Sequence, residues 1–476
     1  MKSVAIDDCR LTIRSTGVSP AGESASRRPI LSLCSFVCLA VVLLCVSGFA
    51  QQKKPQRAMT ATSATASGPI ALKGGKLLTI THGTIENGVV VMDGGKITAV
   101  GGPGTQIPAN ARVIDVTGMT VYPGLIDSET QLGLTEISAD PMTNDQLEAS
   151  DEIMPHMHVW EAFHAETELI PVTRVNGITN AIVAPGSRDT LPGQNAFIQL
   201  AGASATEMLL ERDIAMPLNF LAEDRRNESF ERAKFPQTRM GMAAQLRQTF
   251  IDAQDYMQKM ADYEKKKAEN KDPNKPPEPP KRDLKLEALV PYLQGKKPVV
   301  LAAEQGSDLE TAVHLAQEFH LKFVLNHITH ADDVLDWVAT LKAPVIVGPI
   351  YEDPKDDQRY DTLYSLPGRL YKRGVKVVFA SYDSHQARNL PYAAGFAVAF
   401  GLPYDEALKA ITINPAEVWG VADRLGSLDT GKMANVVVAN GDPLDVKTDV
   451  KHVFIGGQDI PLTNRQTELR DQYQVR

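Results

Sequence analysis

Three side chains with chemical potential crowd one short loop, Tyr382-Asp-Ser-His-Gln-Ala-Arg-Asn-Leu-Pro391. His385 follows Asp383 by two residues, so the imidazole can orient a substrate or take a proton beside the carboxylate. Arg388, three residues on, can hold a substrate carboxylate through parallel N–H bonds. His385 and Arg388 also fit ordinary solvated loop residues. A second set is Glu129-Thr130-Gln131. On a strand, residues i and i+2 point to the same side. Glu129 would then offer a hard oxygen to a divalent cation, and Gln131 a neutral, weak one. A third set is His156-Met157-His158. Pro155 reads there as a helix first turn, and Trp160 and Phe163 continue helical spacing. On a helix, residues two apart point about 200° away from each other, so those imidazoles would not share an ion.

The elements that must carry these groups follow from periodicity. Eight short apolar runs read as strands: 121–126, 178–183, 196–200, 216–221, 298–303, 322–327, 343–347 and 375–380. Helical patterns separate most of them, which indicates βα units. After 298–303, Ser307 and Glu310 read as a capping box before Leu309, Ala312, Val313, Ala316 and Phe319 at helical spacing. Shorter strands lie before the first run, with Asp93-Gly94-Gly95 as a hairpin turn. Two more strands fall at 435–439 and 450–455. The stretch 256–269 is a charged helical pattern followed by a proline-rich run to Pro280, so 250–285 reads as an insertion over the barrel surface.

Two stretches carry a resemblance to the amidohydrolase superfamily of metal-dependent hydrolases. Its first barrel strand typically reads P-G-x-I-D-x-H-x-H-x, and Pro123, Gly124, Ile126, Asp127 and Leu132 match as they stand. Glu129 and Gln131 occupy the places of the two histidines. Arg424-Leu-Gly-Ser-Leu-Asp-Thr-Gly-Lys-Met-Ala-Asn435 is similar to the superfamily's R-x-G-S-L-x-x-G-x-x-A-D segment, with Asn435 where aspartate is usual. Pro185-Gly-Ser187 and Pro192-Gly-Gln194 resemble glycine-bearing loops of imidazolonepropionase-like members.

The resemblance implies an α/β protein: a (β/α)₈ TIM-type barrel over 123–420, bracketed by a small β-sandwich from 69–122 and 421–460. It also implies metal ligands, of which few persist. No lysine stands on the fourth strand, and alanine replaces a histidine on the fifth. His327 ends the sixth, and Asp383 follows the eighth. Glu129, His327 and Asp383 would hold one divalent ion at most, zinc first, or none, with Asp383 drawing a proton from the attacking water. Two readings stay open. One is an exported hydrolase of C–N bonds, amide or cyclic amide, with a reduced or unconventional metal site. The other is a catalytically inactive binding or scaffolding subunit. Either would allow a homo-oligomer or an assembly with a related amidohydrolase.

Composition bounds the rest. The chain has 476 residues, 43% hydrophobic and 22% charged, and a formal net charge of −9. An acidic balance without a basic cluster excludes nucleic acid as a partner and leaves a small amide-type molecule as the expected substrate. Arg27-Arg28 precede an apolar run over 31–46, and Gly48-Phe49-Ala50 supplies the small residues of a cleavage site. Residues 1–50 therefore read as a signal peptide and 51–68 as a disordered leader, and the mature protein as periplasmic or secreted without a stable membrane span. The paired arginines leave Sec and twin-arginine export both open. Cleavage removes five basic and three acidic residues, moving the net charge from −9 to −11, and takes all four cysteines with it. That excludes disulfides and every thiol mechanism in the mature chain.

Overall fold

A computed structural model describes residues 68–474 apart from 149, 222–234, 237, 273 and 355–357. The expected signal peptide and nearly all of the leader lie outside these residues. No helix among the described residues is long and apolar enough to cross a membrane.

The N-terminal part supplies β1 (Ile70–Leu78), β2 (Thr84–Asp93), β3 (Lys96–Gly101), β4 (Arg112–Asp115) and β5 (Thr120–Pro123). The middle supplies β6 (Leu125–Thr130), β7 (Ile178–Val183), β8 (Asn195–Gln199), β9 (Leu209–Asn219), β10 (Val299–Ala302), β11 (Phe323–Asn326), β12 (Val345–Val347) and β13 (Val377–Phe379). The C-terminal part adds β14 (Val436–Ala439), β15 (Val450–Ile455) and β16 (Gln458–Asp459).

Both chain ends share one sheet, in the order β16-β15-β14-β5-β1-β2-β3, with β4 also beside β1. The joint is β5 against β14, antiparallel, with Pro123 opposite Val436 and Thr120 opposite Ala439. The Asp93-Gly94-Gly95 turn forms where expected: both glycines take positive φ, 56° and 78°, and Asp93 pairs with Lys96. Leu72, Leu77, Val90, Met92, Val121 and Phe454 fill its buried face.

The other eight strands follow one another in sequence order, β6 through β13, in a nearly closed sheet. Beyond β13 the chain returns to β6: Tyr382 N–H donates to the Glu129 carbonyl at 2.9 Å. Every one of the eight strands contributes to one buried cluster: Ile126, Ile182, Phe197, Ile214 and Ala215, Val300, Val324, Ile346 and Val378. Trp419, Val421 and Leu425 pack into the same cluster.

Strands appear in all eight expected places, with two differences. The apolar run 121–126 is two strands rather than one. Gly124 N–H bonds Asn435 O at 2.8 Å in the first sheet, and Leu125 N–H bonds Gly177 O at 3.0 Å in the barrel. A Cβ on Gly124 would fall inside the Thr179 side chain, so the crossing between sheets needs glycine. The second difference is direction. β8 runs antiparallel to both β7 and β9, while the remaining neighbours are parallel. A parallel return needs a crossover of about a dozen residues or more, usually helical. The connection 184–194 has no helix, and 200–208 has only the turn Ala205–Met208.

Six helices matter below: α1 (Arg239–Glu269), α2 (Leu284–Leu293), α3 (Gly306–Glu318), α4 (Thr362–Lys372), α5 (Leu390–Ala399) and α6 (Tyr404–Ala410). The charged stretch 256–269 is the far half of α1. The near half buries Met242, Leu246, Phe250, Ala253 and Tyr256, spaced by three and four residues, against the barrel layer. Phe250 meets Phe319 there at 5.1 Å between ring centres. The Ser307/Glu310 capping box does not form. The helix opens at Gly306 with Gln305 at its cap position, which places Ser307 inside the first turn.

Candidate functional site at the barrel mouth

The carboxyl ends of β6, β11 and β13 converge, the place where a barrel of this kind carries its chemistry. β6 ends in Asp127-Ser128-Glu129-Thr130. Asp127 is fully buried, and both its oxygens are taken: Oδ1 accepts from Ser381 N at 3.0 Å and Oδ2 from Ser381 Oγ at 2.5 Å. Burial outweighs those bonds and pushes its carboxyl up to about 7. Glu129 is half-buried, and its Oε2 accepts from Asn326 Nδ2 at 2.8 Å. Burial, then the neighbouring Asp127 charge, pushes Glu129 up to about 8, although the Asn326 bond pulls the other way. Two carboxyls on one strand end cannot both ionise cheaply.

β11 and the chain after β13 complete the network. Tyr382 OH donates to Asn326 Oδ1, which also accepts from His327 N at 2.9 Å. Tyr382 leans on the His327 ring, 4.5 Å between centres. Both residues hold positive φ, 59° for His327 and 57° for Tyr382, left-handed conformations that non-glycine residues adopt rarely and mostly near functional sites. Burial lowers His327 to about 4, against the pull of Glu304, and raises the Tyr382 phenol well above its ordinary value. At neutral pH the mouth therefore holds a neutral imidazole, a neutral phenol and a carboxyl that keeps its proton.

The residues singled out from sequence divide. Glu129 and His327 join this network, Glu129 through Asn326 and His327 through Tyr382 and Asn326. Asp383 turns to its own loop: Oδ1 accepts from His385 N at 2.5 Å and Gln386 N at 2.8 Å, as in an Asx turn. Its carbonyl, not its carboxylate, meets β6, accepting from Thr130 Oγ1 at 2.9 Å. His385 is exposed, its Nδ1 3.9 Å from Asp383 Oδ1. Arg388 lies in the turn Ala387–Asn389, and its carbonyl accepts from Asn176 Nδ2 at 2.8 Å. Gln131 lies one residue past β6, its carbonyl taken by Leu134 N at 3.0 Å. The helical reading of His156-Met157-His158 is corrected. His158 is extended (φ −124°, ψ 118°) and bridges Gln194, and the short helix begins only at Val159. Its Nδ1 sits 2.6 Å from Asp213 Oδ1.

Asp127, Ser381, Asn326 and Tyr382 were not selected by sequence reasoning. Asp127 did carry a signal, a carboxylate inside an apolar strand two residues before another. The neutral polar groups carried none.

Among the described residues, no three His, Cys, Asp or Glu side chains converge in a way that could hold a metal ion. The chemistry of the donors agrees. Asp127 is spent on Ser381, Asp383 on its loop, and Glu129 faces an amide. This set does not fit the bridged metal pair, which needs several free anionic or imidazole donors.

A nearly closed barrel joined to a sheet from both chain ends defines the class: a barrel protein with its polar groups gathered at strand ends. Residues 307–460 match the Amidohydrolase family. The amidohydrolase tasK of Hapsidospora irregularis is 26% identical over 393 residues, 78% of this chain. The match spans only 39% of that longer protein. An amidohydrolase from Thermotoga maritima MSB8 superposes with a TM-score of 0.75 at 28% identity, covering 83% of this chain and 100% of that one. A prolidase solved with N-methylphosphonate-L-proline shares the fold at a TM-score of 0.52 and 18% identity. The chain thus carries an Amidohydrolase family match over its C-terminal part and is similar to amidohydrolases in sequence and in fold.

Proposed function

We propose that this chain hydrolyses C–N bonds of amide or cyclic-amide small molecules at the barrel mouth, through an unconventional site poor in metal ligands. The observation that carries this is the hydrogen-bonded line Tyr382–Asn326–Glu129, ending on a half-buried carboxyl pushed up to about 8. An amide nitrogen leaves poorly unless it gains a proton. A positioned carboxyl that keeps its proton at neutral pH is suited to give one to the departing nitrogen as water adds to the carbonyl carbon, and the carboxylate left behind takes up the proton that the added water loses. Ser381 and Asn326 hold the carboxyls in place, and Tyr382 fixes the amide that holds Glu129.

The test is hydrolysis of a panel of N-acyl amino acids, lactams and cyclic imides by the full chain and by Glu129→Gln. Loss of about a hundredfold or more in kcat is expected, the usual worth of a general acid. Unchanged rates would overturn the reading. Metal analysis of the same preparations separates the finer point: one tightly held equivalent of zinc would refute a metal-poor site.

A second reading, a non-catalytic binding or scaffolding subunit, draws on the carboxylates of Asp127 and Asp383, both committed to local hydrogen bonds. It predicts no turnover on any member of the panel and a stable complex with an active relative on native mass spectrometry. Export to the periplasm or medium belongs to the same proposal. N-terminal sequencing of the mature protein should begin at Gln51.

A further inference from the structure

Between the first sheet and α6 lies a cleft of about 620 Å³, and none of its lining residues belongs to the barrel mouth. That volume is within the range of small-molecule sites, which run from roughly 300 to 1,000 Å³. Its charges do not all cancel. Tyr404 OH donates to Asp442 Oδ1 at 2.8 Å, and Leu444 N donates to the same oxygen at 2.9 Å. Lys409 Nζ is taken by Glu406 at 2.9 Å. Lys76 on the sheet wall and Asp405 on the helix wall are exposed and make neither a salt bridge nor a side-chain hydrogen bond among the described residues, whereas Asp442, also exposed and outside any salt bridge, has its Oδ1 occupied by the two bonds above. Leu78 and Leu408, both buried, give the lining an apolar part.

The rim carries an independent mark. Ile80 lines the cleft with φ of 75°, a left-handed backbone that a β-branched residue adopts only when its surroundings force it. The turn is clamped by Thr79 Oγ1 donating to Gly83 O at 2.7 Å and by His82 N donating to Thr79 Oγ1 at 2.9 Å. Such strain collects where ligands are held.

We infer that this cleft binds a zwitterionic small molecule of peptide size, with its carboxylate against Lys76, its ammonium against Asp405 and an apolar side chain on Leu78 and Leu408. The inference stands apart from the reaction at the mouth. Glycyl-leucine titrated calorimetrically into the full chain should bind one-to-one. Lys76→Ala and Asp405→Ala should each weaken binding tenfold or more, and Glu129→Gln should leave it unchanged. N-acetyl-leucine amide, which lacks both charges, should bind at least tenfold more weakly. Both cleft side chains are exposed, so the variants should fold, with circular dichroism as the check. Absence of binding, weakening in only one charge variant, equal binding of the uncharged probe, or loss in Glu129→Gln would each overturn the inference.

Discussion

Asn326 Nδ2 donates to Glu129 Oε2 at 2.8 Å, joining the ends of two strands across the barrel mouth, while the same amide's oxygen receives Tyr382 OH. One neutral side chain thus satisfies a carboxyl and a phenol at once. Asn326→Leu would strip both of a partner, and leaving such groups unsatisfied costs about 1–3 kcal/mol. The urea midpoint should fall accordingly. The acidity of Glu129 should move as well. The amide bond favours the ionised form, so its removal pushes the carboxyl further above 8. A carboxyl-specific infrared titration would read that directly, and a downward move would contradict the assignment.

The raised carboxyls set the sign of the pH dependence. The folded protein holds the Glu129 proton up to about 8, whereas the unfolded chain releases it near the ordinary value of 4.5. Between those values the folded state binds more protons, so stability falls as pH rises. Asp127, raised to about 7, acts in the same direction. A tenfold change in a group's acidity on folding is worth about 1.4 kcal/mol, which puts the combined loss on the order of a few kcal/mol between pH 5 and 8. Glu129→Gln mimics the protonated carboxyl and keeps an acceptor for Asn326. Its urea midpoints across pH 5–8 should therefore slope less than those of the parent chain.

The barrel was legible because most of its strands carry a short apolar run, as in β7, β10, β12 and β13, and a strand overlaps each of the eight expected places. What the runs could not carry was direction. The runs at β8 and β9 are the least regular of the eight, broken by polar residues and Pro217, and only the short connections on either side force β8 antiparallel. The split at Gly124 was hidden in the same way, since one apolar run served two sheets. The near half of α1 carries an apolar stripe at helical spacing, whereas its far half is charged on all sides and shows only as a solvated helical pattern. Acids and imidazoles announce themselves by type, which is why Glu129, His327 and Asp383 stand out in the sequence; the structure links the first two through Asn326 and leaves the Asp383 carboxylate in its own loop. Which way a carboxylate turns is decided by nearby backbone N–H groups, and Asp383 faces His385 and Gln386. The amide and hydroxyl partners, Asn326 and Ser381, look like any polar residue at a strand end.

That orientation of Asp383 bears on whether the scaffold has merely lost two histidines. Glu129→His with Gln131→His restores the spelling of the first strand. Gln131, however, lies beyond the last residue of β6, and Asp383 remains tied to its own loop. A divalent site needs three or more donors in one place. The double variant should therefore purify with less than 0.1 equivalent of zinc, taking that as roughly the background for an incomplete ligand set. Its melting temperature should also be unmoved by added zinc, since a bound ligand would raise it. Stoichiometric uptake would show that the mouth rearranges readily and that the described donor set understates it.

Asn435 stands where the family segment usually carries aspartate, and its surroundings explain the amide. It is buried, its Nδ2 donates to Asn180 Oδ1 at 2.8 Å, and its Oδ1 accepts from Gly456 N at 2.8 Å. Asn180 Oδ1 also receives Thr179 Oγ1, while Asn180 Nδ2 is turned to Ile198 O at 3.3 Å. Flipping Asn180 to meet a carboxylate would break both of those bonds. Asn435→Asp should therefore place a carboxylate oxygen against another acceptor inside the joint between the two sheets. A buried charge without its donor costs about 2–4 kcal/mol. The loss has a diagnostic sign. Protonation restores a donor toward Asn180, so the folded variant holds a proton that its unfolded chain gives up, and stability returns as pH falls. Urea midpoints at pH 5 and pH 8 should differ more in the variant than in the parent. An equal loss at both values would mean that the joint tolerates the charge and that the amide is there for another reason.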